Sequence, residues 1–506
     1  MRSASVVVVS LWLLVPACLD TPVGEGEGEG EGEGEGEGEG EGEGEGEGEG
    51  EGEGEGEGEG EGEGEGEGEG EGDAPFFVSP ALPAGLSPGV AWVRTHEPFI
   101  SGLIVQIDAT SDAHRATYFD AFGATALHLW ATGLPSQLAS WTPDSSSAWV
   151  SWVNHEGRGE NGEIIGGLGP NPPGRIGYQV GDEPRTPEEL QAMGAGIAAV
   201  RAADPDALVW INLCCANEID AGAYADIAVQ THGADLVSYD KYARGPDAYE
   251  GLEIFRDAGL RNEVPYWRYM KSYLQTDETF DDLGASDLRW DAMSGALYGY
   301  TGHSWFLYQI DPNPDLAPGF FVDENNLDGE RTGAFQVAAA LNRELRVLGE
   351  TLSQLTSVDV RYVPAFGALT LPDHTEEWSP GAGGDPFLVG IERDEAYTLE
   401  VSIGFFVDDA GERYFAVQNV RHEHAYFPLD STEPGAMTLR FDFSGGPATV
   451  RRDRLLALDA QNDTLVFVPL EGSGDERSAI VTLDAGDLRL FKVDTGAGFA
   501  RRAGSY

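Results

Sequence analysis

Eight short runs of apolar, β-branched or aromatic residues alternate with amphipathic stretches between about residues 99 and 310. The runs lie at 103–108, 126–130, 148–153, 176–180, 208–213, 236–240, 265–270 and 304–308. Helical spacing of apolar residues recurs between several of them, at 113–122, 186–201, 221–231, 248–258 and 286–300. Strands that alternate with helices pair in parallel, and eight of them close into a barrel. The pattern therefore predicts an α/β fold, a (β/α)8 TIM barrel.

The pattern changes after residue 311. One more amphipathic helix is predicted at 334–355, and about ten short runs with period-two alternation and Gly, Asp or Pro turns follow it. They include 397–403, 413–419, 437–443, 464–468 and 488–493. Alternation of this kind is typical of an antiparallel β-sandwich. We therefore expect a catalytic TIM-barrel domain at 73–355 and a β-sandwich domain at 356–506.

The N-terminus reads as an export signal. Met1 and Arg2 precede an apolar run of about ten residues, which is too short to span a bilayer permanently. The run ends in Val-Pro-Ala-Cys at 15–18, which resembles the bacterial lipoprotein signal. The resemblance implies a signal peptide at 1–17, lipidation of Cys18, and a protein anchored in the cell envelope, at the outer membrane or cell surface. A soluble secreted protein is the alternative.

A strict Gly-Glu alternation occupies residues 24–72 and carries 24 of the glutamates. Such a segment has nothing apolar to bury, so we expect 18–72 to be a disordered linker behind the lipidated cysteine. The chain has a formal charge of −59, of which about −35 remains outside the tract. A surface this negative repels nucleic acid, so a nucleic-acid partner is not expected.

Cysteine is scarce: beside Cys18 the chain has only the adjacent pair Cys214 and Cys215. A bridge between neighbouring residues is strained, so the preferred interpretation is two buried reduced side chains without a disulfide framework.

Acidic residues follow two of the predicted barrel strands, at the end where TIM barrels carry their active sites. Asp182 and Glu183 come directly after the fourth strand, and Pro184 should hold Glu183 in an extended conformation. Asp240 ends the sixth strand and can face Glu183. We predict catalytic roles for these three carboxylates, with Glu183 as the general acid. The alternative is an acidic loop that only caps the next helix.

Two of the only three lysines, Lys241 and Lys271, fall at the ends of the sixth and seventh strands, where they can bind an anionic substrate group or only reflect chance. Aromatic and amide side chains near the strand ends suit the apolar faces and hydroxyls of a sugar. The predicted sugar-binding residues are Trp130, Trp152, Tyr178, Asn212, Tyr239, Lys241, Tyr242, Trp267, Lys271, Trp305 and Tyr308.

Other chemistries lack their motifs. The chain has no GxxxxGK[ST], HExxH or CxxC, and its nine histidines have no metal-ligand spacing. We therefore expect no cofactor and no metal, and a monomer whose partners are a carbohydrate and, through Cys18, a membrane.

Several segments resemble bacterial TIM-barrel glycoside hydrolases of the β-galactosidase-like superfamily with a C-terminal β-sandwich. They lie at 177–184, 201–205, 210–213, 237–240, 296–300 and 341–345. The resemblance implies hydrolysis of glycosidic bonds in oligo- or polysaccharides, with the acid/base role on Glu183. It also implies a nucleophilic Glu after the seventh strand, where 266–274 has no acid and Glu278 lies further along.

Three interpretations of the missing nucleophile stay open. Asp240 can be the second carboxylate, with about 5 Å between the groups in a retaining enzyme and about 6.5–9.5 Å in an inverting one. Alternatively, Asp182, Glu183, Tyr239 and Asp240 are similar to the chitinase and hexosaminidase arrangement, in which a substrate acetamido group is the nucleophile. The third interpretation is a non-catalytic, glycan-binding surface lipoprotein.

Overall fold

The computed structural model describes most of the chain after residue 74. The described ranges are 75–104, 112–129, 148–158, 174–214, 220–242, 247–275, 283–309, 316–317, 319–323, 327–366, 371–393, 399–424 and 432–504. Residues 75–506 form one compact unit. No helix within the described ranges combines the length and the hydropathy that a membrane crossing requires.

The predicted barrel is confirmed. After a two-residue strand β1 (Phe77–Val78), eight parallel strands close on one another in the order β2 to β8 and then β10, which returns to β2. They are β2 (Phe99–Ile104), β3 (Ala126–Leu129), β4 (Ala148–Val153), β5 (Arg175–Asp182), β6 (Leu208–Cys214), β7 (Val237–Asp240), β8 (Tyr266–Lys271) and β10 (Gly302–Gln309). A small antiparallel pair, β9 (Leu274–Gln275) and β11 (Leu316–Ala317), lies outside the barrel sheet.

Helices precede, separate and follow these strands; the first was not predicted, and the others lie near the predicted positions. They are α1 (Pro88–Thr95), α2 (Asp112–Ala116) with a π-helical turn (Thr117–Ala121), α3 (Pro187–Ala203), α4 (Ala221–Gln230), α5 (Asp247–Asn262), α6 (Ala285–Tyr298) and α7 (Gly333–Leu352). The first turn of α3 contains the capping residues from which the sequence predicted the start of this helix. The Thr186 hydroxyl accepts from the Glu189 amide, the Glu189 side chain accepts from the Thr186 amide, and Pro187 occupies the first turn.

The predicted antiparallel sandwich is also confirmed, as a six-stranded and a four-stranded sheet. The first has the order β12-β14-β15-β21-β17-β18 and the second β13-β16-β20-β19. Their strands are β12 (Leu355–Val363), β13 (Leu388–Arg393), β14 (Val401–Asp408), β15 (Arg413–Asn419), β16 (Gly435–Asp442), β17 (Arg454–Asp459), β18 (Thr464–Pro469), β19 (Glu471–Ser473), β20 (Glu476–Leu483) and β21 (Leu488–Val493). A 3₁₀ turn (Ala382–Gly384) lies between β12 and β13.

The six-stranded sheet is covered on both faces, which braces the barrel against the sandwich. Ile403 and Phe415 point into the core shared with the four-stranded sheet. Phe406 and Ala416 belong instead to the large cluster that contains the barrel and its helices. The final strand β22 (Phe499–Ala500) pairs in parallel with β1, so the two ends of the described chain lie together.

Candidate active site at the barrel mouth

Strand β5 is irregular at its carboxyl end, and this irregularity brings Asp182 into the site. The register with β6 shifts between Gln179 and Asp182, and Gly181 between them has a φ of +70°. A side chain at Gly181 would approach the Met193 side chain to 2.7 Å, so glycine is required there. The shift turns Asp182 to the same side as Gln179, whose Nε2 donates to Asp182 Oδ1 at 3.1 Å.

Glu183 does not have the extended conformation expected before a proline. Its φ is +42°, in the left-handed region that disfavours residues with a side chain, and its amide donates to the Asn212 carbonyl oxygen at 3.0 Å. The sequence-based reason for its orientation was therefore wrong. Backbone strain of this kind persists where the surrounding structure holds it, and such positions concentrate in functional sites.

Glu183 and Asp240 meet at the carboxyl ends of β5 and β7, which we call the barrel mouth. A carboxyl oxygen of each lies within 4.8 Å of the other, and the two groups are hydrogen-bonded, which requires a proton on one of them. Asp240 is 6 % exposed, whereas the Glu183 side chain is 11 % exposed and lies 3.7 Å from the Arg185 guanidinium. The site therefore holds a close pair of carboxyl groups, of which Glu183 is the more accessible.

Asn212 of β6 links the carboxyl groups of Asp182 and Asp240 by hydrogen bonds. Its Nδ2 donates to Asp182 Oδ1 at 3.0 Å and to Asp240 Oδ1 at 2.8 Å, while its Oδ1 accepts from the Ser238 hydroxyl at 2.8 Å. Both amide hydrogens are therefore used within the protein. Asn212 was predicted to bind a sugar hydroxyl; the structure instead gives it a positioning role.

The three carboxyl groups all hold protons more tightly than usual. Burial, and then the charge of Glu183, raise the pKa of Asp182 to about 8. Burial, and then the charges of Glu183 and Asp182, raise the pKa of Asp240 well above its ordinary value. Burial also raises the pKa of Glu183, but the hydrogen bond from Asp240 and the Arg185 charge oppose this. We conclude that Asp240 carries the shared proton and Glu183 the charge.

Aromatic side chains lie beside Glu183 and Asp240, and the sequence predicted only some of them. Tyr242, which was predicted, stacks on Phe306 at 5.4 Å between ring centroids and meets Tyr273 edge-on. Tyr269 and Tyr273 belong to the same buried cluster. Trp152 shares a face with its β5 partner Gln179 and is partly buried. Tyr269 and Phe306 lie within β8 and β10, so a search restricted to strand ends missed them, whereas Tyr273 follows β8 and had the strand-end position as a signal.

Four predicted sugar-binding aromatics face away from the mouth, into the layer between the barrel and its helices. The Tyr178 hydroxyl bonds Asp204, Tyr239 stacks on Phe255 of α5, the Trp305 indole donates to Asn342 of α7, and Tyr308 packs on Tyr118. Each is at most 1 % exposed. Successive residues of a strand point to opposite faces, so these side chains fill the core rather than meet a sugar. The acetamido-binding role considered for Tyr239 fails for the same reason.

Trp267 is also misplaced as a sugar-binding residue. It stacks on Phe99 at 4.4 Å and contacts Trp210 edge-on, in a cluster that fills the amino end of the barrel. This is the end opposite the carboxyl groups, where aromatic residues stabilise the barrel.

The two lysines have different surroundings. Lys241 pairs with Glu250 of α5 at 3.0 Å, which satisfies its charge outside the carboxyl cluster, so the anion-binding prediction is not supported for it. Lys271 is 6 % exposed, has its ammonium group 5.4 Å from the Tyr273 ring, and lines a cavity together with Tyr242. Of these two lysines, only Lys271 therefore remains a candidate for contact with a substrate at the barrel mouth.

Cys214 is disulfide-bonded, so the expectation of two reduced cysteines is wrong. The other cysteines of the chain, Cys18 and Cys215, lie outside the described residues. The Cys214 sulfur comes within 4.8 Å of carboxyl oxygens of Glu183 and Asp240. A disulfide sulfur is not the thiolate that binds a metal, and we infer no metal centre from this group.

Other predictions fall outside the described residues. These are the signal peptide, the Gly-Glu linker, Trp130 and Glu278. Residues 266–275 are described and include no acid after the seventh barrel strand.

No family model and no curated protein matches the chain. Solved structures with a similar fold include a glycoside hydrolase family 30 subfamily 8 xylanase from Clostridium acetobutylicum, with 11 % identity, 79 % of this chain and 97 % of that chain covered, and a TM-score of 0.39. The α-galactosidase of Saccharomyces cerevisiae has 9 % identity, 81 % and 100 % coverage and a TM-score of 0.42. The carboxyl transferase domain of Rhizobium etli pyruvate carboxylase has 11 % identity, 55 % and 53 % coverage and a TM-score of 0.33. These similarities assign no activity to the chain.

Proposed function

We propose that the chain is a glycoside hydrolase that cleaves oligo- or polysaccharides with Glu183 and Asp240 as its carboxyl pair. The observation that supports this most is their approach to within 4.8 Å at the barrel mouth, with Asp240 buried and Glu183 more exposed. Two carboxyl groups of opposite protonation are what acid-catalysed cleavage of a glycosidic bond requires.

A separation below 4.8 Å leaves no room for the water molecule between the groups of an inverting pair, which are about 6.5–9.5 Å apart, so we assign a retaining mechanism. The hydrogen bond holds the free groups closer than the about 5 Å of a retaining pair, so substrate binding must separate them. Asp240 protonates the glycosidic oxygen while Glu183 attacks the anomeric carbon, which breaks the bond to the leaving group. Water then hydrolyses the glycosyl ester, and Asp240 takes back its proton. These roles reverse the sequence-based assignment, since burial and the hydrogen bond between the pair favour the proton on Asp240.

Asp182 supports the pair rather than reacting. Its Oδ1 accepts from Gln179 and Asn212, and its charge is one of the causes that raise the pKa of Asp240. As the pH approaches 8 and Asp182 itself ionises, its charge opposes loss of the proton from Asp240. Trp152 and Tyr242 supply apolar faces for sugar rings beside the pair.

Reducing-end release from a panel of neutral oligosaccharides tests the proposal, with isothermal titration of the same sugars in parallel. Release of new reducing ends supports hydrolysis. Binding without release favours the alternative of a glycan-binding surface protein. The absence of both release and binding would contradict both functions.

The proposed site of action is the cell envelope, with the domains carried on the Gly-Glu linker and anchored through a lipid on Cys18. The Val-Pro-Ala-Cys sequence supports this, since acyl chains contribute about 0.8 kcal/mol per buried CH₂ group. Incorporation of labelled palmitate by the full-length chain, and its loss in Cys18→Ser, tests the anchor. A wild-type chain that takes up no label would contradict it.

A further inference from the structure

A chain of buried polar side chains crosses the barrel interior and ends on Asp182. Its members are at most 4 % exposed, and they come from the first, eighth, second, seventh and fourth barrel strands: Ser101, Ser304, His128, Tyr269 and Gln179. The successive contacts are Ser101 to Ser304 at 2.9 Å, Ser304 to His128 Nδ1 at 3.1 Å, His128 Nε2 to Tyr269 at 3.2 Å, Tyr269 to Gln179 Oε1 at 2.6 Å and Gln179 Nε2 to Asp182 at 3.1 Å.

The hydrogen bonds of this chain all run in one direction. Burial lowers the pKa of His128 to about 3, so its ring is neutral and has a single N–H. The Tyr269 hydroxyl donates to Gln179, so it accepts from His128 Nε2–H. His128 Nδ1 then accepts from the Ser304 hydroxyl. Each contact of this chain then pairs one donor with one acceptor.

The opposite direction would need a proton on Asp182 Oδ1, a flipped Gln179 amide and the other His128 tautomer. Asn212 opposes it, because its Nδ2 already donates to Asp182 Oδ1 and its own orientation is held by the Ser238 hydroxyl. An oxygen that accepts from two amide groups has no room for a proton.

We propose that Tyr269 is a positioning residue of the hydrolytic site: its hydroxyl holds Gln179 in the orientation that reserves Asp182 Oδ1 as an acceptor and leaves Oδ2 to carry the proton. The inference rests on the proposed function only in calling the site hydrolytic. Without the Tyr269 hydroxyl the buried Gln179 carbonyl loses its partner. The bonds from Nε2 to the Gly181 carbonyl oxygen at 3.3 Å and to Asp182 at 3.1 Å are then what opposes a turn of the amide oxygen toward Asp182.

Within the described part of the chain, three titratable groups face Asp182. Glu183 follows it directly after β5, Asp240 faces it from β7, and Tyr269 faces it from β8. The neutral amides of Gln179 and Asn212 oppose the effects of burial and of Glu183, because each lowers the pKa of Asp182. Loss of the Gln179 donor therefore raises this pKa.

The test is an infrared titration of the full-length chain, in which Asp182→Asn identifies the protonated carboxyl band of Asp182. The wild-type band should disappear with a midpoint near pH 8. In Tyr269→Phe the midpoint should rise by about one unit, the effect of one hydrogen bond to a charged group. The control is Tyr266→Phe on the same strand, whose buried hydroxyl bonds the Tyr298 carbonyl oxygen, and it should leave the midpoint unchanged.

An equal midpoint in Tyr269→Phe and wild type would overturn the proposal. If that variant does not fold, ¹⁵N shifts of wild-type His128, assigned with a His128 variant, decide: an Nε2–H tautomer supports the proposal and an Nδ1–H tautomer overturns it. The outcome is separable from hydrolysis. A shifted titration with full turnover in Glu183→Gln would reject hydrolysis alone, whereas an unshifted titration with an inactive Glu183→Gln would reject the positioning role alone.

Discussion

Carboxyl oxygens of Glu183 and Asp240 lie within 4.8 Å of each other at the barrel mouth, although Glu183 follows β5 and Asp240 ends β7. Burial raises the pKa of both groups, but the hydrogen bond raises that of Asp240 and lowers that of Glu183. The pair is therefore already divided into an acid and a base before substrate binds.

This division predicts a bell-shaped dependence of kcat/KM on pH. Activity should rise as Glu183 ionises, above the ordinary pKa of 4.5, and fall as Asp240 loses its proton. Asp182→Asn removes a charge that raises the pKa of Asp240, so the alkaline limb should move to lower pH. The control is Glu188→Gln in the exposed first turn of α3. A profile that is flat from about pH 5 to 9 would contradict the assignment.

Asp182 should make the folded chain less stable as the pH rises. Its folded-state pKa of about 8 exceeds the ordinary 3.8, so its contribution is fully present below about pH 4 and is lost as the pH approaches 8. Asp182→Asn should therefore gain stability relative to wild type across this window, by about 1.4 kcal/mol for each unit of pKa difference. Melting temperatures at pH 5 and pH 8 measure the effect. A variant difference that is the same at both pH values, as expected for the exposed control Glu471→Gln, would argue against it.

Asn212→Ala should lower kcat about 100-fold with little change in KM, because Asp182 and Asp240 lose the amide that aligns them. The matched control is Asn262→Ala, which removes an amide-to-carboxylate bond of 2.6 Å to Asp226 outside the barrel. Steady-state kinetics separate the two parameters. Equal losses of kcat in both variants would mean that Asn212→Ala acts only by destabilising the fold.

Trp152→Ala should raise KM about tenfold through loss of about 1.4 kcal/mol of contact with a sugar ring. Trp210→Phe is the control, since Trp210 is buried at the amino end of the barrel. Its KM should match the wild type even where its melting temperature falls. If KM responds to Trp210 and not to Trp152, the sugar surface has been placed on the wrong end.

The sequence predicted the order and type of the elements because strand and helix periods differ and because caps such as Thr186 mark helix starts. It also predicted which strand ends carry acids. It could not predict which face each aromatic residue occupies, since barrel strands are buried on both faces: Trp152 points into the barrel, whereas Tyr178 of the next strand points toward the helices. Nor could it predict the shift at Gly181, which turns Asp182 toward Gln179.

The most direct test of the carboxyl pair is the initial rate of reducing-end release by wild type, Glu183→Gln, Asp240→Asn and Glu188→Gln on one oligosaccharide. We predict that both site variants lose at least about 10²–10⁴-fold in kcat while retaining the wild-type circular dichroism spectrum, and that Glu188→Gln keeps full activity. Wild-type turnover in either Glu183→Gln or Asp240→Asn would contradict the account.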